Sequence, residues 1–74
     1  DVIIKDFVTI APNASVSGNI VLNDLVEIGT NATLREKLNI YEGAMIGMGA
    51  VLTKDVEKNH IMVGNPAKIL KILD

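Results

Sequence analysis

Apolar residues recur along this chain every six positions. Counting from Ile4, every sixth residue is a branched aliphatic: Ile4, Ile10, Val16, Leu22, Ile28, Leu34, Ile40, Ile46 and Leu52. The residue four places after each is also apolar: Val8, Ala14, Ile20, Val26, Ala32, Leu38, Ala44, Ala50 and Val56. The positions between are mostly Asn, Asp, Lys, Glu, Gly, Ser and Thr. The clearest single turn of the pattern is Ile46-Gly47-Met48-Gly49-Ala50-Val51-Leu52.

A helical face recurs at 3.6 residues, so a period of six rotates off it. A flat strand alternates at two and has no use for a small residue at the fifth place. Strands of about three residues joined by bends fit both observations. Three hexads close a triangular coil of 18 residues, and residues 4–57 make nine hexads, or three coils. Coils of this kind stack as parallel strands about 4.8 Å apart. The expected ladders are Ile4-Leu22-Ile40, Ile10-Ile28-Ile46 and Val16-Leu34-Leu52. No hexad buries much alone, so stability is of nearest-neighbour type. Gly18, Gly29, Gly43, Gly47 and Gly49 suit sharp bends or a flat outer surface. Asn13, Asn19, Asn31 and Asn39 suit bends, because Asn tolerates left-handed backbone.

The pattern stops after Val56. Residues 1–57 form the repeat domain, and residues 58–74 form an exit loop and a C-terminal segment that packs on the solenoid or on a neighbouring subunit. Glu57–His60 reads as the loop and Ile61-Met62-Val63 as one added strand. Gly64-Asn65-Pro66 breaks it. Pro66 can open a helix, with Ile69, Leu70, Ile72 and Leu73 on one side, but so short a helix cannot stand alone. The pattern leaves helix and extended forms open for this tail.

Composition narrows the picture. With 74 residues there is room for one small domain. Hydrophobic residues are 49% and aromatics 3%, which requires a finely divided aliphatic core. There is no Cys and one His, so neither a disulfide framework nor a three-His zinc set is expected, and no metal is. The net charge of −2 gives no support for nucleic-acid binding. No run reaches transmembrane length and no signal peptide is visible, so a cytoplasmic location without membrane insertion is expected. The start at Asp1 rather than Met is read as the start of a piece of a longer chain.

The unbroken hexads, followed by Ile46–Val56 and then Val63-Gly64-Asn65-Pro66-Ala67-Lys68, resemble the hexapeptide-repeat acyltransferases. Asp6-Phe7-Val8-Thr9-Ile10-Ala11-Pro12 with Ser17-Gly18-Asn19 is similar to the sialic-acid and bacillosamine type of sugar O- and N-acetyltransferases. The resemblance covers essentially the whole chain. It implies an all-β, left-handed parallel β-helix of about three coils with a short C-terminal segment. It also implies a homotrimer with acetyl-CoA in the cleft between solenoids. Thr9, Gly18, Thr30, Gly47 and Met48 match positions near the acetyl-CoA arm, and Lys68 is the best candidate for its phosphates.

In that family a His takes a proton from the acceptor amine or hydroxyl as it attacks the thioester. Its position falls immediately ahead of Asp1, which matches the acidic residue beside it, so the resemblance places no catalytic residue in this chain. Thr9 stands where such enzymes can carry a second His. The implied function is a CoA-dependent acetyltransferase acting on a sugar or nucleotide-sugar, with this chain inactive alone. The alternative is a non-catalytic β-helix trimerisation or scaffold module.

Other residues carry less. His60 lies outside the nine hexads and reads as a solvated loop residue, with a contact to CoA or a partner as the functional alternative. Met45 and Met48 suit a cleft or subunit contact, or simple gap-filling, which is favoured for Met62. Lys54, Lys58, Lys68 and Lys71 face either phosphates or solvent. Arg35-Glu36-Lys37 is a solubilising outward run. Thr9, Thr30, Thr33 and Thr53 do not form the ordered array of an ice-binding face.

Overall fold

The computed structural model describes residues 1–73; the last residue of the C-terminal segment, Asp74, lies outside the described residues. Eleven short strands appear in them and no helix. They are β1 (Val2–Ile4), β2 (Thr9–Ile10), β3 (Ser15–Val16), β4 (Ile20–Leu22), β5 (Glu27–Ile28), β6 (Thr33–Leu34), β7 (Asn39–Ile40), β8 (Met45–Ile46), β9 (Val51–Leu52), β10 (His60–Val63) and β11 (Lys68–Ile72).

Three parallel stacks form the faces of a prism: β1-β4-β7, β2-β5-β8 extended by β10 and β11, and β3-β6-β9. Each expected ladder is present, with Ile4 beside Leu22 and Leu22 beside Ile40, Ile10 beside Ile28 and Ile28 beside Ile46, and Val16 beside Leu34 and Leu34 beside Leu52. The chain is a left-handed parallel β-helix of about three turns. Parallel crossovers are normally right-handed because a twisted strand feeds a helix that packs back on the sheet. Here the strands of each coil are two or three residues long and joined by short bends, so that cause is absent.

The bends have one cause. Residues 7, 13, 19, 25, 31, 37, 43 and 49 all have positive φ, between 58° and 74°. Each of the first eight hexads turns by placing its fourth residue in the left-handed region. Asn13, Asn19, Asn31, Gly43 and Gly49 meet that demand cheaply. Phe7, Leu25 and Lys37 do so at a steric cost. Asn39 is not a bend residue, contrary to the sequence expectation. It sits in β7, where its Oδ1 accepts from Asn23 Nδ2 at 2.7 Å.

The repeat also continues past the point where the sequence pattern stops. Val56 pairs with Ile40, sixteen residues away rather than eighteen. Met62 then pairs with Ile46 and Ile61 with Met45 at the same shortened spacing. Val56 is therefore the first position of a further hexad, not the fifth position of the ninth. Asp55 makes the shortcut workable, because its Oδ1 accepts from the Asn39 backbone N–H at 2.8 Å. Asn59 provides the left-handed bend, with φ 61°. Glu57–His60 is thus a turn of repeat geometry rather than an exit loop, and His60, half-buried, begins β10.

The C-terminal tail is extended. β11 runs antiparallel along β10, with a register shift between Ile61 and Met62 that leaves Leu70 as the extra residue. The open edge of β10 offers backbone partners that a seven-residue helix would forgo. The helical option, with four aliphatics on one side, is not realised.

Among the described residues the core contains only aliphatic side chains and Met62, and no polar residue is buried. Ile20, Leu22, Ile28, Leu34, Ile40 and Leu52 are essentially inaccessible. Full burial of such a side chain contributes about 1.5–3 kcal/mol. Ile4 and Ile10, at the first coil, are 53% and 39% exposed because no described coil stacks against their free side.

Candidate functional site

A groove of about 340 Å³ runs along the outside of the β2-β5-β8-β10 face. Strand alternation builds it: Ile10, Ile28, Ile46 and Met62 point inward, so Thr9, Glu27, Met45 and Ile61 form the outward row. Ala11, Gly29 and Gly47 follow that row, and Thr30 and Met48 stand at the next bend. Met48 is 81% exposed at the lip.

Two glycines keep this edge flat. A methyl group on Gly29 would lie 2.6 Å from the Met48 backbone N and 2.8 Å from both the Gly47 carbonyl carbon and the Ile46 oxygen. One on Gly47 would lie 2.9 Å from Val63 Cγ1. Gly29 therefore requires glycine for coil stacking, and Gly47 admits a side chain only if Val63 shifts, whatever the groove holds.

The structure brings four of the sequence-selected residues together: Thr9, Thr30, Gly47 and Met48 all line this groove. Gly18 does not line it; it occupies the bend between β3 and β4, with open space around its Cα. Lys68 lines a separate depression with Thr53, Lys54, Pro66 and Ile69. Asp1 is exposed and outside the groove lining. His60 precedes Ile61 on β10 and so lies on the opposite side of that strand from the groove.

Sequence reasoning missed Glu27, Met45 and Ile61 as one lined-up row. The signal was available, since all three fall one residue before an inward position; for Ile61 it was hidden by the two-residue shortcut. The groove offers hydroxyls from Thr9 and Thr30, the Glu27 carboxylate, and apolar surface from Met45, Met48 and Ile61. That combination suits an extended, largely uncharged ligand. No histidine lines it.

The geometry has close counterparts. The acetyltransferase domain of PglB from Neisseria gonorrhoeae superposes with a TM-score of 0.92 and 37% identity over 95% of this chain and 34% of that one. WeeI from Acinetobacter baumannii gives 0.91 and 47%, over 95% of this chain and 35% of that one. The chain shares the hexapeptide-repeat fold of these acetyltransferases. The PglB domain has also been solved in complex with acetyl coenzyme A. A Staphylococcus aureus protein named as an acetyltransferase is 43% identical over 37 residues, half of this chain and 19% of its own length. No family model matches. The chain spans about a third of the length of these two solved structures and about a fifth of the curated relatives it matches.

Proposed function

We propose that this chain is the acyl-donor half of an acetyl-CoA-dependent acetyltransferase. The groove over β2, β5, β8 and β10 holds the thioester arm, and the acceptor is an amino or hydroxyl group of a sugar or nucleotide-sugar. The observation that carries the reading is the convergence of Thr9, Thr30 and Met48 on one flat-edged groove in a chain 37% identical to a domain solved with acetyl-CoA. Thr9 and Thr30 present hydroxyls to the arm, and Gly47 and Met48 form its lip.

The proton acceptor is a histidine supplied from outside residues 1–74, with Asp1 beside it. The acceptor's N–H or O–H proton passes to that histidine as the nucleophile attacks the thioester carbonyl; collapse of the adduct expels the CoA thiolate. Such a base is worth about 10²–10⁴-fold. Lys54 and Lys68, in the neighbouring depression, meet the CoA phosphates. Gly18, also matched by the resemblance, acts at a bend outside the groove. The assembly is a homotrimer, and the location is cytoplasmic.

Titration with acetyl-CoA tests the donor site: saturable binding is expected, and none would favour the scaffold alternative. Residues 1–74 should release no CoA thiol from acetyl-CoA and an amino-sugar above background. Turnover at full enzymatic rates would refute the placement of the base. Sedimentation should show a trimer at micromolar concentration.

A further inference from the structure

Glu27 is the one charged side chain among the residues lining the groove. It stands on β5 between Thr9 of β2 and Met45 of β8, in register with both. Ile61 and Met48 complete its surroundings. Among the described residues, no hydrogen bond or ion pair engages its carboxylate; the ion pair among them is Lys58 with Glu42, at a separate depression also lined by Lys5, Asp24 and Glu57. No lysine or arginine lines the groove.

A carboxylate offers only acceptor sites. Flanked by a thioether and a hydroxyl, with apolar Ile61 and Met48 further along the groove, it has a use for a ligand that carries N–H donors and no negative charge at that point. We infer that Glu27 fixes the register of an extended thioester arm by accepting a hydrogen bond from one of its amide N–H groups. This rests on the acyl-donor reading of the groove. The arm of CoA carries two secondary amides along an otherwise neutral chain, whereas its phosphates would be repelled by Glu27. The carboxylate therefore sets both position and direction: amides over β5, phosphates away from it.

The separation between strands supports a single contact. Successive coils stand about 4.8 Å apart, so a donor over β5 is within reach of Glu27 while the rest of the arm lies along Thr9 or Met45. A hydrogen bond to a charged acceptor is stronger than one to a neutral amide. Removing it from a partly solvated groove should weaken the arm's binding about tenfold.

The test is isothermal titration of the protein with acetyl-CoA and with adenosine 3′,5′-bisphosphate, which lacks the arm. Glu27 is exposed on the outer surface, so substitution leaves the core intact, and circular dichroism verifies this. Glu27→Ala should weaken acetyl-CoA about tenfold and leave the bisphosphate within about twofold. Glu27→Gln, which keeps an acceptor oxygen without the charge, should fall between. Unchanged acetyl-CoA affinity in Glu27→Ala, equal weakening of both probes, or tighter acetyl-CoA binding by Glu27→Gln would overturn the inference while leaving the donor site standing. Wild-type protein that binds no acetyl-CoA would overturn the donor reading and this inference together.

Discussion

Gly29→Ala is the sharpest perturbation available in this fold. The added carbon would meet three backbone atoms of the next coil: Met48 N at 2.6 Å, the Gly47 carbonyl carbon at 2.8 Å and the Ile46 oxygen at 2.8 Å. Ordinary van der Waals contact lies near 3.5–4.0 Å, so the second and third coils must separate locally by close to an ångström. Gly29 N donates to Ile46 O at 2.7 Å across this same junction, and separating the coils strains that bond. Overpacking a tight site costs roughly 1–3 kcal/mol, occasionally more. With backbone on the other side of the contact, the upper end applies, about 3 kcal/mol. For a domain of this size each kcal/mol moves Tm by about 4–8 °C, so a fall of roughly 12–24 °C is expected. Thermal unfolding followed by far-ultraviolet circular dichroism, at one protein concentration, measures it. Gly18→Ala is the control: nothing lies within 4 Å of its added methyl, and it should be neutral or slightly stabilising. If Gly29→Ala melted within about 3 °C of wild type, the argument from coil contact would be wrong.

Three further outcomes follow from the same geometry. Gly47→Ala meets a side chain, Val63 Cγ1 at 2.9 Å, so rotation of Val63 should limit the loss to about 1 kcal/mol; a loss equal to that of Gly29→Ala would mean Val63 is locked. Leu34→Ala empties a fully buried position in the β3-β6-β9 ladder and should cost about 2–5 kcal/mol by chemical denaturation; a cost below about 1 kcal/mol would contradict close packing there. Phe7→Asn replaces an 82% exposed ring held at φ 58° with a residue that tolerates the left-handed region, and should raise stability by about 1 kcal/mol; a concentration-dependent fall in Tm instead would show that Phe7 is anchored by another chain.

Most of the architecture was legible because one geometric unit repeats. The inward rows beginning at Ile4, Ile10 and Val16 needed only the period of six and the pleat. Legibility ended where a side chain replaced a backbone partner. Asp55 capping the Asn39 N–H removes two residues from the last coil, and no hydrophobic count registers such an exchange. The same event concealed Ile61 as a groove residue and His60 as the start of a strand. Asn39 misled for a related reason: its composition suits a bend, but Asn23 and Asp55 give its polar groups partners inside the sheet. The tail at Lys68–Ile72 was undecidable from its pattern, because its aliphatics serve a helix face or a bulged strand equally well. The available edge of β10 decides it.

The glycines change what counts as evidence for the site. A glycine beside a groove invites the reading that a ligand approaches the backbone there, and the resemblance matches Gly47 to a position near the acetyl-CoA arm. Its contact with Val63, and that of Gly29 with Met48, account for both without any ligand. The flat edge at Gly29 and Gly47 is a consequence of how closely the coils stack at this corner. Information about the ligand must then come from residues that stacking leaves free. Along this face those are Thr9, Glu27, Met45 and Ile61, the outward row, whose side chains the core does not constrain. Of these only Glu27 carries charge, and it stands in mid-groove where an aliphatic would serve the fold as well. Coil stacking accounts for the glycines; the choice of a carboxylate at residue 27 is what the fold does not explain and a bound amide would.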